Sequence, residues 1–180
     1  MRDIYEYLNE LQNDIFVLHS EGIERKYYQI CVQLAGMDVA KEINAIDMTA
    51  YEKELKERFI EGSNYLNNNE IQSVYFEYDL DNNWAGQYYL CEDYYPMEEE
   101  DDDWACEWEF CIEGPELKEF STIYDKSDGF DTTEASHGII IFLIARTVIA
   151  YLKNVPKNEL DIPVCIGFHD QEPIFRLKRD

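Results

Sequence analysis

Ser73-Val74-Tyr75-Phe76-Glu77-Tyr78-Asp79-Leu80 is the stretch that decides the class of fold, because its period is two. Val74, Phe76, Tyr78 and Leu80 alternate with Ser73, Tyr75, Glu77 and Asp79, the pattern of a strand with one buried face. Asp81-Asn82-Asn83 is a turn cluster, and a partner strand is expected over Gly86 to Cys91. A third strand follows in the same spirit. Trp104, Cys106, Trp108, Phe110 and Ile112 are expected on one face, with Ala105, Glu107, Glu109, Cys111 and Glu113 on the other. This reads as a half-buried antiparallel strand with an acidic outer side.

Outward from these strands the period changes to that of helices. Ile4, Leu8, Leu11, Ile15 and Leu18 recur at spacings of 4, 3, 4 and 3, with Gly22 as the expected stop. Residues 23–40 contain a mixed apolar run that periodicity leaves open between helix and strand. Thr49-Ala50-Tyr51-Glu52 has the form of a capping box opening a helix to Gly62, beyond which Asn67-Asn68-Asn69 breaks the pattern. Asp131-Thr132-Thr133-Glu134 opens a long helix through Leu152. Its centre, Ile139 to Ala145, is apolar nearly all round and is therefore expected deep in the domain. Pro163 to Phe168 and Pro173 to Leu177 form an expected closing hairpin around His169-Asp170-Gln171-Glu172. The expected fold is α+β, one domain over residues 1–180: amino-terminal helices, an antiparallel β-meander on a long buried helix, and a carboxyl-terminal β-hairpin.

Charge is the second informative feature. The 180 residues hold 15 Lys+Arg against 39 Asp+Glu, a net −24, yet 46% are hydrophobic, so the chain does not have the composition of a disordered acidic tail. From Phe59 to Leu117 there is no Lys or Arg, and 17 acids fall there. The densest part runs from Glu92 to Asp103 and ends in the unbroken run Glu98-Glu99-Glu100-Asp101-Asp102-Asp103. All three tryptophans, Trp84, Trp104 and Trp108, lie in the same block with Tyr75, Tyr78, Tyr88, Tyr89, Tyr94 and Tyr95. A basic face for nucleic acid or anionic membrane is excluded by this balance. The apolar run Gly138 to Ala145 falls short of the ~20 residues that span a bilayer. The amino terminus lacks a signal-peptide pattern, and five cysteines without a CxxC pair do not form a disulfide framework. A reduced, cytoplasmic setting is expected.

Catalytic patterns are sparse. Cys165, His169 and Asp170 are the most enzyme-like cluster, and they require the strand to end between Cys165 and His169 so that thiol and base meet. The alternative is a small core cysteine beside a turn aspartate. Ser136-His137 is no triad, since helix neighbours point about 100° apart; His137 reads as a structural histidine, with Gly138 allowing close packing. Asp79-Leu80-Asp81-Asn82-Asn83 has calcium-loop chemistry, but Trp84 stands where the loop needs glycine. Cys106 and Cys111 fall on opposite strand faces, and no phosphate-binding glycine loop occurs. No metal, cofactor or catalytic residue is expected.

A charge run is ordinarily a solvated face, and −24 also serves solubility. Its segregation with aromatic residues favours a basic macromolecular partner, steered by acids and held by rings. Glu98, Glu99, Glu100, Asp101, Asp102 and Asp103 are the expected steering residues. Trp84, Tyr94 and Tyr95 are the expected anchors, the alternation sending Trp104 and Trp108 inward. The Tyr75-Phe76-Glu77-Tyr78-Asp79 strand, Trp84, the Glu98 to Asp103 run with Trp104, and the Ile166-Gly167-Phe168-His169-Asp170 ending together give a chain that resembles the immunity proteins of bacterial polymorphic-toxin systems. The resemblance is one of class, in composition and architecture over the whole chain. It implies a stoichiometric inhibitor whose acidic face covers a toxin domain's basic cleft. The other readings are a phosphate mimic that sequesters DNA-binding proteins, and an enzyme using Cys165, His169 and Asp170.

Overall fold

The computed structural model describes residues 2–66, 70–127, 129–130, 132–156 and 160–179. In chain order the elements are α1 (Ile4–Val17), α2 (Ser20–Ala35), α3 (Met37–Asn44), α4 (Thr49–Ser63), β1 (Ser73–Tyr78), β2 (Gly86–Cys91), β3 (Trp108–Glu113), α5 (Lys118–Lys126), α6 (Glu134–Asn154), β4 (Val164–Phe168) and β5 (Phe175–Arg176). The fold is α+β, with a long helix packed on a five-stranded sheet of order β3-β2-β1-β4-β5.

The amino-terminal helices divide differently from the sequence pattern. The apolar series through Leu18 crosses a break: Leu18 is extended (φ −108°, ψ 151°) and the chain re-enters a helix at Ser20. Gly22 thus lies in the first turn of α2 rather than ending α1. The undecided residues 23–40 fall in two helices that meet at Gly36 (φ 100°), and α2 buries Ile23, Tyr27 and Cys31 at a spacing of four. Thr49 is the first residue of α4 and not its cap. The N-cap is Met48, which has no side-chain bond to give; the Asp47 carboxylate just before it accepts from the Thr49 N–H at 2.9 Å and its hydroxyl at 2.6 Å.

α6 begins as its cap sequence predicts. The Thr133 hydroxyl accepts from the Ser136 N–H at 3.0 Å, and the Ser136 hydroxyl accepts from the Thr133 N–H at 2.8 Å; Asp131 lies outside the described residues. Ile140 to Ala145 are fully buried. The whole helix is long and apolar enough to cross a membrane, a length the eight-residue run alone did not suggest, but most of its surface is buried inside the protein. α2 lies closest along it. A Cβ on Gly138 would stand 2.7 Å from the Leu34 Cβ, so the hydrogen at that position sets the approach of the two helices.

β1, β2 and β3 form the expected antiparallel meander, and β4 pairs antiparallel with β5. The sheet is nevertheless mixed: the crossover through α6 brings β4 parallel to β1, Val74 opposite Val164 and Tyr78 opposite Phe168. The inner face, carrying Val74, Phe76, Tyr78, Tyr88, Leu90, Val164 and Ile166, packs on α6. There the Phe76 and Tyr151 rings stack at 5.2 Å. Trp84, expected as a surface anchor, is fully buried in this layer. Its indole N–H donates to the Thr147 hydroxyl at 2.9 Å and its ring lies 5.4 Å from Tyr78 and from Phe120. The backbone is left-handed at Trp84 (φ 54°), the conformation a glycine would adopt there, and it turns the indole into the core.

The third strand starts at Trp108, since residues 103–106 form a 3₁₀ turn. Leu90 pairs with Phe110 but Cys91 pairs with Trp108, so Glu109 is an extra residue, a bulge. One inserted residue reverses the facing of everything beyond it. Trp108 is therefore 46% exposed on the outer face, whereas Phe110 and Ile112 keep the inward facing predicted for them.

Candidate functional site

The chain between β2 and β3 carries the densest part of the acidic block, and it packs on the outer face of the sheet. Trp104, only 1% exposed, holds it there. Its ring meets Tyr94 at 5.2 Å and Tyr75 of β1 at 6.1 Å, both edge-on. Together with Cys91, Cys165 and Ile174 these residues make a second, smaller core, separated from the main one by the sheet. The inward placement predicted for Trp104 is thus met, but in the layer opposite α6.

One buried cation ties this layer together. The Arg176 side chain, 3% exposed, sits 5.0 Å from the Trp104 ring and 5.4 Å from that of Tyr94. Its Nη2 donates to Asp102 Oδ1 at 2.7 Å and to the Tyr95 carbonyl at 3.2 Å, and its Nη1 to the Ile174 carbonyl at 2.8 Å. The second oxygen of Asp102 accepts from the Ile174 N–H at 2.7 Å. From the other side, Gln12 of α1 donates to the Arg176 carbonyl at 2.9 Å and accepts from its N–H at 2.7 Å. Breaking a buried pair of this kind by removing one partner costs about 3–5 kcal/mol, because the other charge is left uncompensated. Asp102, expected among the steering acids, is a structural clamp; both its oxygens are committed.

The neighbouring carboxylates are free of that duty. Glu99, Glu100, Asp101 and Asp103 line a cleft of about 800 Å³ together with Asp102 and Glu172, and among the described residues Arg176 is the sole base on its wall. Glu98, Glu99, Glu100, Asp101 and Asp103 are exposed, and among the described residues none of them forms an ion pair. The crowding of acids along the whole segment, inside and outside the cleft, registers on two neighbouring groups. The Tyr95 phenol is held above its ordinary value by Asp93 first, then slight burial, then Asp101, Glu107 and Glu99. Glu92 is likewise raised, chiefly by its hydrogen bond with Glu109. A concave surface of unneutralised carboxylates attracts positive charge.

The predicted aromatic anchors separate. Trp84 is in the core. Tyr94 is half-buried, its ring occupied by Trp104 and Arg176. Tyr95 is half-buried beside the cleft. The exposed ring of the region is Trp108, which rests on Tyr89 at 5.5 Å. Sequence reasoning missed it because the bulge has no sequence signal beyond an acidic residue between two aromatic ones.

Cys165, His169 and Asp170 do not assemble. Cys165 is fully buried in β4, and a strand rising ~3.3 Å per residue sets its Cα about 13 Å from that of His169. Burial lowers the affinity of His169 for a proton, but Glu77, 3.3 Å from its Nδ1, outweighs this and raises the imidazole above its usual value. That pair is an exposed surface contact. Cys106 lies in the 3₁₀ turn, off the strand that carries Cys111. Among the described residues no group of three or more His, Cys, Asp or Glu side chains is placed to hold a metal ion. Compared with protein families, with curated proteins and with solved structures, the chain matches none.

Proposed function

We propose that this chain is an acidic protein-binding inhibitor whose cleft receives the basic surface of a partner, and that the partner is a toxin domain neutralised one to one. The observation that carries the reading is the division of labour within the acidic run. Asp102 is spent on folding, which leaves Glu98, Glu99, Glu100, Asp101 and Asp103 presented, exposed and unneutralised, beside a fixed wall. A basic cleft shaped for a polyanionic substrate is complementary to such a surface, and occupation of that cleft excludes the substrate. Steering by charge of this density raises association rates towards ~10⁸–10⁹ M⁻¹s⁻¹ at low salt. Trp108 and Tyr95 supply the apolar contact that slows dissociation.

The test is coexpression with the basic carboxyl-terminal domain of a secreted protein encoded beside this gene. Protection of growth is expected, with a one-to-one complex. The triple variant Glu98→Lys, Glu99→Lys and Glu100→Lys should fold with unchanged stability and associate at least ~10-fold more slowly at low salt. Asp102 is left out of the reversal, since lysine there would meet Arg176. Unchanged association in the triple variant sinks the assignment of the cleft. Binding instead to several unrelated DNA-binding proteins sinks the toxin reading in favour of phosphate mimicry.

A further inference from the structure

The five-stranded order places β3 at an edge of the sheet, and among the described residues no strand pairs with its far side. Which backbone groups that edge offers follows from the ladder. Gly114 donates to the Gly86 carbonyl at 2.7 Å and Gly86 donates to the Pro115 carbonyl at 2.9 Å. Bonding to β2 therefore runs through Gly114, Ile112 and Phe110, and antiparallel alternation turns the N–H and C=O of Cys111 and Glu113 outward. Both residues are exposed.

Alongside this edge runs a groove of about 300 Å³ between β3 and the end of α4. Tyr65, 45% exposed, stacks on Phe110 at 4.6 Å and forms its apolar wall with Ile112. Arg58, the base beside it, is already engaged by Glu54 and Glu61. Glu113 borders both this groove and the cavity beside Glu77 and Tyr89 on the outer face, and Glu109 is exposed further along the same edge. Edges of sheets are ordinarily blunted with lysine or covered; this one carries glutamates.

We propose that the β3 edge accepts an extended segment of a partner protein by strand addition, the segment alternating apolar and basic residues. Its apolar side chains enter the groove against Tyr65, Phe110 and Ile112, and its Lys or Arg side chains lie opposite Glu109 and Glu113. Main-chain bonds to Cys111 and Glu113 supply affinity, and the two faces supply selectivity. Charge also identifies the occupant as another protein rather than a second copy. Antiparallel pairing of two β3 strands about Cys111 sets Glu109 opposite Glu113 twice, and like charges directly opposed are destabilising. The edge is a different surface from the acidic cleft, and the two readings stand or fall separately.

The probe is a synthetic hexapeptide of alternating lysine and valine, titrated into the full chain with amide hydrogen exchange followed by NMR. At saturation the Cys111 and Glu113 amides should slow by at least ~10-fold, with the ladder amides of β1 little changed. The same peptide N-methylated on alternate residues, made in both registers, should lose at least ~10-fold in affinity in one register. Cys111→Pro removes an outward N–H without touching the β2 ladder and should weaken binding similarly. If that variant does not fold, the methylated peptides decide the matter. Binding without protection at Cys111 and Glu113, or binding indifferent to methylation in both registers, is attraction to net charge alone and overturns the proposal. The cleft variant Glu98→Lys, Glu99→Lys and Glu100→Lys should leave the protection at Cys111 within about threefold, whatever it does to toxin association.

Discussion

The two faces of the sheet are built on different principles. On the inner face, Phe76, Tyr78, Tyr88 and Trp84 pack against a helix whose centre is wholly apolar, and the contacts are many and mutually redundant. On the outer face, a short acidic segment lies over Tyr75 and Cys165, and its charged and aromatic groups converge on Arg176. The inner layer tolerates a local loss by spreading it. The outer layer converges on one guanidinium, which engages Asp102 and leaves the neighbouring carboxylates without structural duty.

The largest effect expected from this contrast is that of Arg176→Ala. It removes the charge that Asp102 needs and the platform under Trp104 and Tyr94, and should lower the unfolding free energy by about 3–5 kcal/mol. Amides across residues 94–106 should exchange faster than those of α6. A loss under ~1 kcal/mol, with exchange in that segment unchanged, breaks the claim that the outer layer hangs on one residue. Trp84→Phe probes the inner layer. It deletes the bond to Thr147, whose hydroxyl still donates to the Leu143 carbonyl at 3.0 Å, and should cost about 2 kcal/mol spread evenly through the domain. Denaturant unfolding with residue-resolved exchange distinguishes the two patterns.

The smallest effect concerns pH at the open part of the outer face. His169 gains proton affinity from Glu77, so its contribution is fully present below the unfolded value of ~6.5 and is lost as pH rises through the raised folded value. The imidazole is 60% exposed, which limits the contribution to under about 0.5 kcal/mol. Glu77→Gln should flatten the stability profile from about pH 6.5 upward. Glu10 behaves oppositely: its hydrogen bond to Lys26, with help from Arg2, outweighs burial and depresses its value, so its contribution is lost as the solution becomes acid.

Much of this architecture is legible in the residues alone. The alternation at Val74 to Leu80 and the cap at Thr133 locate β1 and α6 because each rests on a local rule, side-chain facing in one case and orphan N–H groups in the other. The break at Leu18 escapes such rules because the helical apolar spacing includes Leu18 itself, one residue past the end of α1. α5 carries no strong boundary signal in its residues, and its N-cap Leu117 makes no side-chain bond. Trp84 and Trp108 exchange their expected places for one reason each: a left-handed backbone turns the first inward, and a bulge turns the second outward. In the acidic run, identity marks six candidate acids, but only proximity to Arg176, distant in sequence, separates Asp102 from the rest.

What composition and periodicity determined by themselves is an α+β chain with one dominant buried helix and its negative charge gathered into a single aromatic-rich stretch, since both properties belong to neighbouring residues. The tertiary structure decided the parallel placement of β4, the choice of which acid is structural and which ring is exposed. Those depend on residues far apart in the chain meeting across a sheet, and no local pattern encodes the partner that a side chain will find there.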